Sequence, residues 1–456
     1  MSARMLSKVG SECCPKLVIT LNSLIYEQLN IKPVREEYLK RIADEELNTA
    51  LKYAGAVLIE GAKWCGKTRT AEEQAASTIY LQDINKDDYY SHTLDTKPSE
   101  LLEGDAPRLI DEWQTAPKLW NGVRFIVDQR SKPGQFILTG SSVPSDDSAL
   151  HTGTGRFARI LMRPMSLFES MESNGSVSLA SLFNGADIEG KSLLTIEDMA
   201  FALVRGGWPA SIGKNRSIAL RYARDYAESV IKSDISRVDG VDRNPERVGK
   251  LMRSLARNVS TMASVRTIGS DVTGNGKEDV IANEKTIASY INALKRIFVI
   301  EDLPAWSPDM RSKTPLRTSP KRHFVDPSIA AAVLKTSPEG LLKDFRTFGL
   351  LFESLCIRDL RIYAQSMEGQ VHHFRDKNDL EADAIISLYD GRWGAVEMKM
   401  GSAETDKAAE NLLKLKDKVD TDEIGKPSFL AVINATEDAY RRRDGVYVVP
   451  IGCLRN

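Results

Sequence analysis

The stretch "LIEGAKWCGKTRT", Leu58 to Thr70, sets two glycines five apart and follows the second with a lysine and a threonine. Gly61, Gly66, Lys67 and Thr68 match the spacing GxxxxGK[ST], with the strand-like run "AVLIE" before and the helix-compatible "TRTAEEQAA" after. Glycines at those two places let several backbone N–H groups face phosphate oxygens. Lys67 can then reach the β and γ phosphates, and the Thr68 hydroxyl can hold Mg²⁺. The expectation is an ATP site; the competing reading is a tight strand-to-helix turn with no ligand.

Outward from this loop, short apolar runs recur as "AVLIEG", "TIYLQD", "RLIDEW" and "QFILTGSS", alternating with helix-compatible stretches. That alternation predicts a parallel α/β sheet. "RLIDEW" ends a strand in Asp111 and Glu112, two acids that are costly to bury unless used. Asp111 is expected to hold Mg²⁺ through water, and Glu112 to orient or deprotonate the attacking water. "FILTGSS" ends the next strand in Thr139, Ser141 and Ser142, hydroxyls able to sense the γ phosphate or the water; such strand ends also occur as plain turns. "GTGRFARILMRP" offers Arg156, Arg159 and Arg163, of which Arg156 is the candidate for stabilising transition-state charge, from its own chain or from a neighbouring copy.

The bulk numbers exclude several classes. The 456 residues leave room for two to four domains, and Lys+Arg 62 against Asp+Glu 63 leaves no global field toward nucleic acid or an anionic membrane. No apolar run approaches the roughly 20 residues that span a bilayer, and the start has too brief an apolar run for a secretory signal. Five cysteines (Cys13, Cys14, Cys65, Cys356, Cys453), odd in number and including an adjacent pair, suit a reducing compartment, so a cytoplasmic location is expected. Five histidines at no ligand-like spacing argue against zinc.

Beyond the first sheet, "NPERVGKLMRSLARNV" and "EKTIASYINALKRI" have helical periodicity and "FVIEDLPAW" is strand-like, the order of a winged helix. The second of those helices has Ile287, Ile291 and Leu294 on one face and leaves Lys285, Thr286, Ser289, Asn292, Lys295 and Arg296 outward. A recognition helix wants such a face, and so does an ordinary solvated helix in a structural connector. The basic "SPDMRSKTPLRTSPKRH" reads as a linker or wing.

Near the other end, "GAVEMKMG", Gly394 to Gly401, spaces Glu397 and Lys399 by two, hence on one face of a strand. "ISLYDGRWG" before it reads as a hairpin. A two-residue Asp390-Gly391 loop would set Asp383 opposite Met398, whereas a three-residue Tyr389-Asp390-Gly391 loop, with Gly391 left-handed, sets it opposite Glu397. The three-residue loop is expected. Facing carboxylates repel without a cation between them, so Asp383 and Glu397, with Glu353 from the preceding helix, form a candidate site for Mg²⁺ or Mn²⁺, and Lys399 can neutralise charge on phosphate. Asp383, Glu397 and Lys399 would be the catalytic set, D followed by ExK, of a restriction-endonuclease-like fold. The competing reading is a structural Glu–Lys pair beside an unrelated aspartate.

The ordered set GAKWCGKT, LIDEWQ, FILTGSS and GRFARILMRPMSLFE, with RGGWP (Arg205 to Pro209) and FRDKNDLEADAII (Phe374 to Ile386), resembles prokaryotic AAA-type ATPases that carry a C-terminal domain of unknown function with a restriction-endonuclease-like fold. The resemblance implies ATP-binding residues Gly61, Gly66, Lys67, Thr68, Asp111 and Glu112, and no settled substrate. The expected architecture is an extension (1–34), an AAA-type P-loop NTPase sheet (35–190), a helical and winged-helix domain (191–340) and a restriction-endonuclease-like α/β domain (341–456). The expected function is ATP hydrolysis coupled to DNA or RNA binding, with metal-dependent cleavage by the C-terminal domain. The alternative is an ATP-controlled switch, without nuclease activity, on an idle C-terminal scaffold. Partners are ATP, nucleic acid and further copies of the chain, with no membrane.

Overall fold

Strand β1 (Ala56–Glu60) is apolar and buried from Ala56 to Ile59 because both faces of its sheet are covered. The computed structural model describes residues 38–142, 155–237, 240–273, 284–307, 319–377, 379–419 and 424–456. The expectations for 1–34 and for most of the basic linker (308–318) lie outside them. The chain divides into two compact units, Met1–Leu39 and Lys40–Asn456, and the second carries all the strands and helices among the described residues.

With β2 (Ser77–Tyr80), β3 (Arg108–Asp111), β4 (Phe136–Gly140) and β5 (Phe157–Leu161), β1 forms a five-stranded sheet in the order β2-β3-β4-β1-β5, every pair parallel. The two acids therefore end a strand separated from the phosphate loop's strand by β4. Leu58, Ile110 and Leu138 pack with Trp113, Trp120 and Val123 on one side of the sheet. Val57, Ile59, Leu109 and Ile137 pack with Leu47 and Ala50 of helix Ala43–Tyr53 on the other.

The helices of the middle begin where short polar side chains can take the first free backbone N–H groups. Thr195 and Asp198 form a capping box before Ile196–Arg205. Asn215 caps Arg216–Ser229, and Asn244, with Pro245 at the first position, caps Pro245–Arg257. Helices Val265–Thr273 and Glu284–Arg296 follow. Short strands β6 (Val177–Ser178) and β7 (Gly190–Lys191) precede all of these. Strand β8 (Ile300–Leu303) then pairs antiparallel with β9 (Lys321–Phe324).

A helix of 21 residues, Phe345–Gln365, leads into β10 (Gly369–Arg375), β11 (Glu381–Leu388) and β12 (Trp393–Lys399), an antiparallel meander. Helix Thr405–Lys418 crosses to β13 (Phe429–Asn434), parallel to β12; β14 (Asp438–Arg441) and β15 (Tyr447–Pro450) complete the fold with β16 (Leu454–Arg455). The larger sheet runs β10-β11-β12-β13-β15-β14-β7, and β16 pairs with β6. Residues 177–191 thus add strands to the C-terminal sheets: two-residue strands carry no periodicity and form only because the distant edges of β14 and β16 supply ladder partners. The middle and C-terminal parts share an interior, beside a second cluster that the C-terminal part builds almost alone. One buried cluster runs from Leu167 and Trp208 through Leu251, Ile291 and Leu294 to Phe352, Tyr363, Ile386 and Val396.

Candidate functional site

The loop after β1 turns through two glycines that no other residue could replace without strain. Gly61 has φ +152°, and a Cβ there would lie 2.0 Å from the Met162 carbonyl; Gly66, φ +104°, starts helix Lys67–Glu72 in the left-handed region. The Lys67 ammonium is buried and donates to the carbonyls of Gly61 (3.0 Å) and Ala62 (2.8 Å), so a phosphate entering the loop competes for a donor already aimed at it. Thr68 Oγ1 and Thr139 Oγ1 both donate to Asp111 Oδ1, at 2.7 and 2.6 Å. Burial raises the Asp111 pKa, against those two hydroxyl donors. Glu112 follows with φ +53°, its N–H donating to Thr139 Oγ1 at 3.2 Å. Its carboxylate accepts from Ser141 Oγ (3.0 Å) and from the Gln114 amide.

The structure therefore gathers Gly61, Gly66, Lys67, Thr68, Asp111, Glu112, Thr139 and Ser141 at one edge of the sheet. A hydroxyl and a carboxylate in contact beside the loop are a hard-oxygen pair that fits Mg²⁺. Gln114, absent from the expected set, holds the second acid; its only signal in the sequence is a polar residue three after Asp111 in "DEWQ".

Arg156 does not join this group. It precedes Phe157, the partner of Ala56, and so sits at the opposite edge, about 13 Å from the loop at roughly 3.3 Å per residue. Its side chain pairs with Asp128 at 2.8 Å. Arg159 pairs with Glu60 (3.0 Å), and Arg163 turns inward to Glu301 (3.0 Å) and Gln365 (2.8 Å). None of the three reaches the phosphate loop of its own chain. Beneath the loop lies instead Arg41, just before helix Ala43–Tyr53. It donates to the carbonyls of Cys65 and Arg163, both at 2.7 Å, and pairs with Glu169 at 3.0 Å.

At the tip of the same loop, Lys63 pairs with Asp234 (2.6 Å) in a π-helical turn, Val230–Asp234, and Trp64 packs edge-on against Tyr226. RGGWP continues this contact. Tyr226 lies against Trp208, whose indole donates to Ser328 (3.0 Å), and the Gly207 N–H and Arg358 both donate to Asp326 Oδ2, at 2.9 and 2.7 Å.

The second candidate site is built on β11 and β12. Their hairpin closes with Leu388 N–H on Arg392 O (2.9 Å), leaving the three-residue loop Tyr389-Asp390-Gly391 with Gly391 at φ +88°. The ladder runs to Ala384 opposite Val396, and the same register sets Asp383 across from Glu397. Against β10, strand β11 spends an extra residue between Ala382 and Ile385, a bulge that turns Asp383 Oδ2 onto the Met398 N–H at 2.8 Å. Lys399 Nζ lies 2.7 Å from Glu397 and 3.5 Å from Asp383. Lys321 of β9, read from sequence as part of a linker, lies 2.9 Å from Glu353 and 3.5 Å from Asp383.

Of the expected metal ligands Glu353, Asp383 and Glu397, Asp383 shares Lys321 with Glu353 and Lys399 with Glu397. Among the described residues no group of three His, Cys, Asp or Glu side chains is placed to hold a metal ion. Two lysine ammoniums stand between the carboxylates and supply the positive charge that burial demands. Burial pushes the Glu397 carboxyl up to about 8, with Asp383 adding to the effect, and that of Glu353 up to about 7, against the pull of Lys321. Burial alone would raise Asp383 too; Lys321, Lys399 and the Met398 N–H outweigh it and hold it below the usual carboxylate range.

Residues 53–171 match a family model described as an AAA domain. This module has a P-loop ATPase fold. Residues 196–340 match "Domain of unknown function (DUF8612)" and residues 348–454 "Domain of unknown function (DUF4143)". No curated protein matches the chain. Among solved structures, the Walker-type ATPase Paby2304 of Pyrococcus abyssi is similar at 16% identity with a TM-score of 0.39, over 67% of this chain and 99% of that one. Among the described residues no helix is long and apolar enough to cross a membrane.

Proposed function

We propose that this protein is a cytoplasmic AAA-type ATPase whose nucleotide state governs how its middle and C-terminal regions engage nucleic acid. The reading is carried by one observation: Thr68 and Asp111, from β1's loop and from β3, touch at 2.7 Å with Lys67 and Glu112 beside them. In it, Gly61 and Gly66 shape the loop around the phosphates and Lys67 holds the β and γ oxygens. Thr68 and Asp111 hold Mg²⁺, which supplies charge neutralisation when bound. Glu112, steadied by Gln114 and Ser141, orients the water and takes its proton, and Thr139 fixes Asp111. Arg156 completes the site only from a neighbouring copy, so a homo-oligomer belongs to the reading.

Nucleic-acid binding is assigned to helix Glu284–Arg296, which buries Ile287, Ile291 and Leu294 and carries Lys285, Ser289, Asn292 and Arg296 along another stripe. Lys295 pairs with Asp302 and is a weaker candidate. A second reading, an ATP-controlled switch on an idle C-terminal scaffold, is favoured by the two lysines among the carboxylates of Glu353, Asp383 and Glu397. Labelled DNA and RNA incubated with Mg²⁺ or Mn²⁺, with and without ATP, separate the two. Cleavage lost in Asp383→Asn and Lys399→Ala supports a nuclease; ATP-dependent binding without cleavage supports the switch; ATP hydrolysis undiminished in Lys67→Ala rejects both.

A further inference from the structure

We propose that Lys321 is the resident cation of the C-terminal carboxylate cluster, seated where a divalent metal would otherwise bind and carried there by the β8–β9 hairpin. The proposal rests on reading Asp383, Glu397 and Lys399 as a nuclease-like set, and it names what holds that set in a metal-free form.

The geometry is that of an inserted charge. Lys321 is 6% exposed, although a lysine stem is long enough to carry its ammonium to water from most positions. Its Nζ bridges Glu353 Oε1 at 2.9 Å and Asp383 Oδ1 at 3.5 Å, two acids that belong to a helix and a strand of the C-terminal sheet. Lys399 does the same for Asp383 and Glu397. Three carboxylates thus face two ammoniums, and Glu397, 1% exposed, keeps Oε1 without a hydrogen-bond partner. The cluster has an oxygen to offer a further positive charge. A divalent ion shared by Glu353 and Asp383, however, needs the position that Lys321 Nζ fills, and two cations in contact repel.

The hairpin that delivers the lysine is fastened at both ends. In the ladder Leu303 faces Lys321 and Glu301 faces His323. Glu301 is held by Arg163 and Arg361, each at 3.0 Å, and the Arg163 carbonyl is held by the same Arg41 that holds Cys65 of the phosphate loop. Past β8, the Trp306 N–H donates to His373 O at 2.7 Å and the His373 N–H to Pro304 O at 2.9 Å, tying the hairpin to β10. Lys321 is therefore positioned by contacts with both the ATPase module and the sheet it neutralises.

The test measures Mn²⁺ uptake by nucleotide-free, full-length protein, from loss of the free-ion paramagnetic resonance signal, together with the melting temperature with and without Mn²⁺. Wild type should show no Asp383-dependent uptake and no Mn²⁺-dependent melting shift. Lys321→Met should bind Mn²⁺ at least tenfold more tightly than wild type and gain on the order of 2 °C or more with the ion, both lost in Lys321→Met/Asp383→Asn. Lys321→Arg, which keeps the charge, should behave as wild type. Asp383-dependent Mn²⁺ uptake by wild type overturns the inference while leaving the nuclease-like reading standing. Lys321→Met that is folded by circular dichroism yet takes up no Mn²⁺ overturns both. The wild-type measurement decides even where a variant fails to fold.

Discussion

Glu112 is a non-glycine residue at φ +53°, a backbone state that costs an L residue of order 1 kcal/mol, with a carboxylate held by two neighbours. Strain kept at such a position is consistent with use of the side chain rather than of the turn. Lys67→Ala is expected to abolish both ATP binding and turnover, because its ammonium meets phosphate in every state. Glu112→Gln should bind ATP as wild type does and lose turnover by roughly 10²–10⁴-fold, the size of a general-base contribution. Equilibrium binding of a labelled nucleotide, measured beside phosphate release, checks the pair; turnover retained in Glu112→Gln would remove this glutamate from the mechanism. A different residue governs stability. Asp326 is fully buried and accepts from the Gly207 and Ser328 N–H groups and from Arg358. Asp326→Ala strands those donors and leaves Arg358 with Asp359 alone, so a loss of about 3–5 kcal/mol in urea unfolding is expected.

At the scale of elements, two glycines with different reasons for being glycine should respond differently. Gly391 closes the β11–β12 hairpin at φ +88°, with nothing within 4 Å of a built Cβ, so Gly391→Ala meets backbone strain alone, about 1–2 kcal/mol. Gly207, in RGGWP, would bring a Cβ to 2.0 Å from the Met165 carbonyl, a backbone atom that cannot swing aside. Gly207→Ala should therefore cost clearly more than Gly391→Ala in parallel denaturant titrations. Equal costs would mean that the RGGWP turn relaxes freely and is not a fixed joint. The bulge in β11 belongs to this scale as well, since the extra residue redirects Asp383 without altering the parity of β12.

Over the whole molecule, the interior shared by the middle helices and the larger sheet predicts that residues 343–456 alone will not give a cooperatively folding protein. They would lack β7, β6 and the buried partners Trp208, Leu251 and Leu294. A sharp thermal transition from that fragment would contradict this. The carboxylate cluster also sets a pH dependence. Glu397 in the folded protein titrates near 8 and Glu353 near 7, above their ordinary value of 4.5, so the native state holds protons that the unfolded chain releases. Stability must then fall as pH rises through that window, most cleanly from about 6.5 to 8, above the ordinary histidine range. In metal-free buffer the urea midpoint should drop over this interval, and Glu397→Gln should flatten the drop. Below that window burial, with Lys321, holds His373 down to about 4, so the unfolded chain takes the proton first and stability is lost from about pH 6.5 downward, against the carboxyl contribution.

A window of ten or so residues was enough to encode the local features of this chain. The glycine spacing around Lys67 sets backbone geometry; Thr195, Asn215 and Asn244 cap their own helices; the period of two puts Glu397 and Lys399 on one face; and the three-residue loop follows from Gly391. Each is a consequence of φ, ψ and side-chain period, legible before any folding. Whatever depends on distant segments meeting had to wait for the folded chain. Arg156 stands at the wrong edge for its own phosphate loop, because a parallel strand fixes which end of β5 lies beside which end of β1. Arg41 reaches Glu169 across 128 positions, and Lys321 reaches Asp383 across 62. No periodicity marks such residues, since burial and charge pairing select them only after the chain has closed around them, and that is how a lysine read as part of a linker came to stand where a metal ion was expected.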